Sequence, residues 1–181
     1  MPLHLVDTNE AVVESWLREF SEFPEVSISH GSILEHATEC VVSPANSYGF
    51  MDGGIDLVYM GHFGYQIQDR VRSMIFRRGD EKLPVGAAEV VATGDAHIPW
   101  MIVAPTMEVP QHIPALNTER AFMAMLRTWR HHPEIDTVYC PGFGTGVGAV
   151  PPNEAAASMA AAFRFLKKGA LSSPQKLYRR I

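Results

Sequence analysis

The sequence lacks the features that mark several common protein classes. Its 181 residues include two cysteines, Cys40 and Cys140, which are too few for a disulfide framework and favour buried free thiols in a reducing cytoplasm. The apolar runs are short, so no segment is predicted to span a membrane. The first seven residues have neither the basic start nor the long apolar stretch of a signal peptide. Together these absences predict a cytoplasmic protein.

An excess of positive charge is also missing. The net charge is −5, which argues against a general nucleic-acid binder, because such proteins normally carry a basic patch. An anionic small ligand would have to be held by backbone amides and helix ends instead. The eight histidines are scattered, and the two adjacent ones, His131 and His132, would point apart on a helix. No metal and no cofactor is therefore predicted.

The chain alternates between strand-like and helix-like segments. The chain has 181 residues, of which 46% are apolar, and this is enough for one domain, 1–181, with a real core. The alternation of strands and helices predicts an α/β sandwich with a mixed sheet. The polar, basic tail from Leu171 is expected to be loose. The pattern predicts strands at 26–29, 38–42, 87–93, 100–104 and 137–140, and helices at 9–20, 55–78 with a weak point at Gly61 or Gly64, 117–130 and 152–168.

The stretch from Cys40 to Asp56 is the centre of the functional prediction. An apolar strand runs into a turn and then into Gly53 and Gly54, which precede a predicted helix. Glycines let the backbone approach a phosphate, and the free N–H groups of a helix start point at it. A tight turn between packed elements is the alternative.

A second glycine-rich loop follows the last predicted strand. Residues 142–148 contain four glycines ahead of a helix, so successive N–H groups could wrap a diphosphate without an intervening side chain. The loop is not a Walker loop, because no Gly-Lys-Ser/Thr follows, and it does not fit the dinucleotide fingerprint. A purely structural loop is the alternative. Ligands of such sheets sit beyond the carboxyl ends of the strands, where both loops would lie.

In this order, the segments resemble the macro domain family, whose members bind ADP-ribose and related nucleotides. The resemblance implies a three-layer α/β/α sandwich with a mixed central sheet and covers about 26–168. It rests on Ser43-Pro44-Ala45-Asn46, similar to the family's Asn-Ala-Ala-Asn; on Gly53-Gly54-Ile55-Asp56, similar to the end of its Gly-Gly-Gly-Gly-Val-Asp loop; on Leu83-Pro84-Val85-Gly86-Ala87-Ala88; and on Pro141 to Gly148, similar to its Pro-Ala-Ile-Ser-Thr-Gly-Ile-Tyr-Gly loop.

The sequence departs from the family pattern at three places. Ser32 stands where the family has an acid that holds the adenine amino group, which predicts weak selectivity for adenine. Gly148 stands where an aromatic is usual, and Met51 and Asp52 replace two loop glycines. There is also a looser likeness to a bacterial and phage-associated branch with Gly-Thr-Gly-Val-Gly loops.

The resemblance implies a role for individual residues. Asn46 would bond hydroxyls of the distal ribose, or else stabilise its own turn. Asp56, ten residues later as in hydrolase-type members, would activate a water, or else serve the helix dipole. Asp52 would serve as a substitute base, or else is a solvated loop acid. The predicted ligand-binding residues are Ser32, Ile33, Asn46, Gly53, Gly54, Ile55, Gly144, Thr145, Gly146, Val147 and Gly148.

Two functions follow from the resemblance. The first is a metal-independent hydrolase of mono-ADP-ribosyl or O-acyl-ADP-ribose linkages, for which an ADP-ribosylated protein would be a partner. The second is a non-catalytic reader of ADP-ribose or a related nucleotide. A scaffold domain that has lost ligand binding is a third alternative.

Overall fold

A computed structural model describes residues 2–172 and shows one six-stranded sheet in the order β2-β1-β6-β3-β5-β4. Five strands run parallel, and β4 pairs antiparallel with β5, so the sheet is mixed as predicted. The strands are β1 (Leu3–Asp7), β2 (Val26–His30), β3 (Cys40–Ser43), β4 (Glu89–Ala92), β5 (Trp100–Val103) and β6 (Val138–Cys140).

Helices cover both faces of the sheet, which gives the three-layer α/β/α fold. Side chains alternate along each strand, so Leu3 and Leu5 of β1 join one apolar cluster while Val6 joins the other. One face packs against α1 (Glu10–Glu19), α5 (Ala115–Arg130) and α6 (Pro152–Ser172), and the opposite face packs against α2 (Ile33–His36), α3 (Gly54–Phe63) and α4 (Gln66–Arg77).

Several predicted boundaries have a visible physical cause. Asn9 caps α1, since its side chain accepts a hydrogen bond from the N–H of Ala11. The segment predicted as one helix over 55–78 breaks at Gly64, whose φ of 87° lies in the region that favours glycine. The break separates α3 from α4.

Two elements at the start of the chain were not predicted from the sequence. β1 lies inside the sheet between β2 and β6, although its five residues were assigned no structure. The segment between β2 and β3, for which no helix was predicted, contains the short helix α2. β1 and α1 belong to the sheet and the core, so the core includes residues that precede residue 26, where the family resemblance begins.

Both cysteines are buried free thiols, as predicted. Within residues 2–172, no helix is long and apolar enough to cross a membrane. The tail expected to be loose lies outside the described residues from 173 onward, and Leu171 itself is the next-to-last residue of α6.

Candidate functional site

A cavity of about 490 Å³ lies at the carboxyl edge of the sheet. The parallel strands β2, β1, β6 and β3 end at this edge, and the segments that follow them form the cavity wall. Every predicted site residue lines it. From the first half of the chain these are Ser32, Ile33, Asn46, Gly53, Gly54, Ile55 and Asp56, and from the second loop they are Gly144, Thr145, Gly146, Val147 and Gly148.

The start of α3 presents backbone N–H groups to the cavity. Gly53 is the N-cap and supplies no side-chain hydrogen bond, so the first N–H groups of the helix have no capping acceptor. Gly54 has a φ of 56°, and a Cβ at Gly53 or Gly54 would meet nothing within 4 Å. The helix start is therefore bare and open, which suits an anion.

The second loop, residues 141–148, contains glycines of two kinds. A Cβ at Gly142 would lie 2.9 Å from Oδ2 of Asp7, one at Gly144 would lie 2.7 Å from the hydroxyl of Thr118, and one at Gly148 would lie 2.6 Å from the carbonyl of Gly144. These three glycines are required by packing. A Cβ at Gly146 would meet nothing within 4 Å. The packing of the protein therefore does not require a glycine at this position, and the missing side chain leaves room in the cavity.

The backbone N–H groups of the second loop are also available. Those of Thr145, Gly146 and Val147 donate to no other group among residues 2–172. The loop is held through other atoms, since Val150 donates its N–H to the carbonyl of Gly144 and Ala149 donates to that of Gly146. Two sets of unpaired N–H groups thus line one cavity.

Asp56 is a buried carboxylate on the cavity wall. The residue is 6% exposed, and its Oδ1 accepts a hydrogen bond of 2.6 Å from the hydroxyl of Ser43 at the end of β3. Burial raises the pKa of Asp56 to about 7, a rise that the Ser43 hydrogen bond opposes and the nearby charge of Asp52 increases. Asp56 therefore exchanges a proton near neutral pH.

Asn46 stabilises its own turn. Its Oδ1 accepts from the N–H of Tyr48 at 3.1 Å and of Phe50 at 3.3 Å, and its Nδ2 donates to the carbonyl of Phe50 at 2.7 Å. These contacts agree with the alternative interpretation of Asn46. An amide nitrogen carries two hydrogens, so one remains for a ligand in the cavity that Asn46 lines.

The cavity wall also includes residues that were not predicted from the sequence to contact a ligand. Asp7 ends β1, and its role was invisible because β1 itself was not predicted. Thr106 and Met107 reach the wall from the long loop after β5, for which no periodicity gave a signal. From the sequence, Tyr48 and Phe50 are candidates for stacking on a ribose or a base, with core packing as the alternative. Phe50 lines the cavity, with the guanidinium of Arg72 4.2 Å from its ring centre, whereas Tyr48 donates its hydroxyl to Glu108 and is not part of the wall.

The charge of the cavity wall is unusual for an anion site. The described residues that form it include three aspartates, Asp7, Asp52 and Asp56, and no lysine, arginine or histidine. Within residues 2–172, no group of three histidine, cysteine or acidic side chains is arranged to hold a metal ion. His62 lies away from the wall and faces Asp95 at 3.8 Å.

Comparisons with known proteins agree with this architecture. Residues 42–159 match the macro domain family. The chain is 33% identical over 137 residues to an uncharacterised protein of Aquifex aeolicus, covering 75% of this chain and 78% of that protein. It is 32% identical over 145 residues to an uncharacterised protein of Aeropyrum pernix, covering 78% and 72%.

Solved structures show the same fold. The macrodomain of Mycobacterium tuberculosis DarG superposes with a TM-score of 0.65 at 24% identity, covering 76% of this chain and 89% of that one. The Oceanobacillus iheyensis macrodomain with ADP gives 0.61 at 22% identity, covering 76% and 74%. Thermosipho africanus DarTG in complex with ADP-ribose gives 0.62 at 10% identity, covering 87% of this chain and 49% of that one.

The fold and its cavity define an α/β/α domain with a backbone-lined site at the carboxyl edge of the sheet. This chain belongs to the macro domain family.

Proposed function

We propose that the cavity binds ADP-ribose or a closely related nucleotide diphosphate. The observation that carries the proposal is the pair of unpaired N–H sets, one at the start of α3 and one in the second loop, on the wall of a single cavity of about 490 Å³. Because no lysine, arginine or histidine lines the described wall, a diphosphate there would be held by backbone amides. The complexes of family members with ADP and ADP-ribose support the choice of ligand.

We further propose that the domain hydrolyses mono-ADP-ribosyl or O-acyl-ADP-ribose linkages. A base works best when its pKa lies near the working pH, and burial places that of Asp56 at about 7. Its Oδ1 is held by Ser43, which leaves Oδ2 to take a proton from water. The water oxygen then bonds to the anomeric carbon or the acyl carbon, the bond to the leaving oxygen or nitrogen breaks, and the proton that Asp56 took passes to the leaving atom.

A non-catalytic reader is the second candidate function. It is favoured by the contacts of Asn46, whose side chain makes three hydrogen bonds within its own turn. It is also favoured by the burial of Asp56, which restricts access of water to the carboxylate. A reader needs only the two N–H sets.

Release of ADP-ribose separates the two functions. The substrates are proteins mono-ADP-ribosylated through carboxylate-ester and arginine linkages, together with O-acetyl-ADP-ribose. Asp56→Ala is expected to lower the rate by about 10²–10⁴-fold and to retain or improve ADP-ribose affinity, since a carboxylate near the phosphates opposes binding. Asn46→Ala should weaken binding and turnover together, since its contacts exist in the ground state.

Each result of this assay has a defined meaning. If the wild type cleaves no substrate above the buffer rate but binds ADP-ribose, the protein is a reader. If Asp56→Ala cleaves as fast as the wild type, Asp56 is not the base and Asp52 is tested next. If millimolar ADP-ribose gives no heat on titration, the binding proposal itself is wrong.

A further inference from the structure

The strand order fixes the order of the binding elements along the cavity. β6 lies between β1 and β3, and β2 lies beyond β1, with all four strands parallel. The segments that follow these strands therefore meet the cavity in the same order. Asn46 follows β3, the second loop follows β6, Asp7 ends β1, and Ser32 follows β2.

A nucleotide diphosphate sugar laid along this edge has one place for each of its parts. If the diphosphate lies on the second loop and the distal ribose lies near Asn46, the adenosine ribose falls at β1 and the base at β2. Neighbouring strands are about 4.8 Å apart, so β1 and β3 are separated by about 10 Å, which suits the two riboses of a dinucleotide-like ligand. Asp7 then faces the adenosine ribose.

The carboxylate of Asp7 is held rigidly at this position. Its Oδ1 accepts the N–H of Asn9 at 2.8 Å, and its Oδ2 accepts the N–H of Gly142 at 2.9 Å. A carboxylate offers about four acceptor positions, so these two bonds leave about two for a ligand. The side chain is half-buried and lines the cavity.

We propose that Asp7 is a specificity-determining residue that accepts hydrogen bonds from the adenosine ribose hydroxyls and excludes ligands that carry a phosphate there. The assignment rests on the proposed binding of ADP-ribose. An acidic side chain serves the 2′-hydroxyl of unphosphorylated dinucleotides in other α/β folds, whereas a 2′-phosphate requires an arginine nearby. The described wall offers no lysine, arginine or histidine to such a phosphate.

The consequence is a choice between two chemical classes of ligand. ADP-ribose groups that derive from an unphosphorylated dinucleotide would be accepted, and those that carry a 2′-phosphate would be rejected. The 2′-phosphate would face the fixed negative charge of Asp7, and the described cavity wall offers no basic side chain to offset it. Like charges at such short range are strongly unfavourable where water is partly excluded.

Calorimetry with three ligands tests the proposal. The ligands are ADP-ribose, 2′-phospho-ADP-ribose and 2′-deoxy-ADP-ribose with the deoxy position on the adenosine ribose. The wild type should bind the 2′-phospho ligand roughly a hundredfold more weakly than ADP-ribose. It should bind the 2′-deoxy ligand roughly ten- to hundredfold more weakly, as for a lost hydrogen bond to a charged group.

Two variants test whether Asp7 causes these differences in affinity. Asp7→Asn should bring the affinities of the three ligands to within about tenfold of one another, because it removes the charge that repels the phosphate. Asp52→Asn is the matched control, since it removes an acid from the α3 side of the same wall. It should change all three affinities by the same factor and leave their ratios intact.

The outcomes distinguish this proposal from the proposed function. A wild type that binds ADP-ribose but binds the other two ligands equally well overturns the role of Asp7 and leaves ADP-ribose binding in place. Ratios that persist in Asp7→Asn, or vanish in Asp52→Asn, also overturn it. If Asp7→Asn does not fold, the wild-type ratios alone decide. No binding of any ligand removes both proposals.

Discussion

Asp56 is the buried acid of the cavity wall, and its burial opposes its charge. An ionised carboxylate at 6% exposure has lost most of its hydration, and one hydrogen bond from Ser43 restores only part of it. The folded protein therefore holds a proton on Asp56 far more tightly than the unfolded chain does. This imbalance makes stability depend on pH in a direction opposite to that of a salt-bridged acid.

Asp56→Asn should stabilise the protein at alkaline pH. The pKa of Asp56 is about 7 in the fold against an ordinary value of 3.8, so wild-type stability falls as pH rises from about 4 to about 7, and the loss is complete above that. The variant keeps the Ser43 hydrogen bond and escapes the loss. Its advantage should be on the order of 2–4 kcal/mol at pH 8 and should vanish near pH 4.

Denaturant unfolding at pH 4, 6 and 8 measures this difference. Asp136→Asn, at an exposed aspartate, serves as the control and should give a similar small change at each pH. An Asp56→Asn advantage that is constant across the three pH values would show that Asp56 is not protonated more tightly in the fold.

At this scale, sequence could predict residues whose role is local. The cap at Asn9 depends on its own helix, and the turn contacts of Asn46 depend on residues two and four positions away. Asp7 could not be assigned, because its partner Gly142 is 135 residues away. Its place on the wall follows from the insertion of β1 next to β6, which no local pattern reveals.

Among the elements, the second loop contributes most to the proposed site. Three of its glycines leave no room for a side chain, because an added Cβ would lie less than 3 Å from a neighbouring atom. Gly146, by contrast, borders open space. Ala149, just after the loop, has a φ of 53°, which is unusual for a residue with a side chain. In this conformation of the loop the N–H groups of residues 145–147 donate to no other group among residues 2–172.

Gly146→Val should abolish ADP-ribose binding without unfolding the protein. The added side chain meets no protein atom within 4 Å of its Cβ, so it would fill the place proposed for the diphosphate. Gly61→Ala is the control, at an exposed glycine inside α3 with equally open space. That change should stabilise the protein by about 0.5–1 kcal/mol and leave affinity unchanged.

Calorimetry and thermal unfolding of both variants provide the measurements. A Gly146→Val protein that still binds ADP-ribose with wild-type affinity would show that the ligand does not use this loop. Loss of binding together with a lowered melting temperature would point to misfolding of the loop rather than to a blocked site.

The elements themselves were largely predictable where their periodicity is strong. The amphipathic helix α5 and the buried strands β3 and β5 have clear patterns, and the glycine at position 64 marks the break between α3 and α4. β1 is only five residues long and precedes a helix with no glycine-rich turn, so nothing in its composition distinguishes it from a leading segment. The four-residue helix α2 is too short to show a period.

For the molecule as a whole, two apolar layers hold the sheet and leave its carboxyl edge uncovered. Trp16, Phe122 and Trp129 fill one layer, and Tyr59 and Ile67 fill the other. This sandwich could be predicted from the alternation of strands and helices, because each exposed sheet face must be covered. The shape of the cavity could not, since it depends on loops that follow strands far apart in the sequence.

ADP-ribose should stabilise the whole domain by mass action, because the cavity exists only when the strands that end at its wall are paired. At a free ligand concentration of one hundred times Kd, binding adds about 2.7 kcal/mol to the free energy of unfolding. For a domain of this size, that raises Tm by about 5–10 °C.

Asp56 makes the shift depend on pH, since its ionisation near pH 7 places a negative charge beside the anionic ligand. At a fixed ligand concentration, the Tm shift should therefore be larger at pH 6 than at pH 8 in the wild type, and equal at the two pH values in Asp56→Asn. A shift that persists in Gly146→Val would place the ligand elsewhere, and a wild-type shift that grows from pH 6 to pH 8 would contradict the position of Asp56 beside the phosphates.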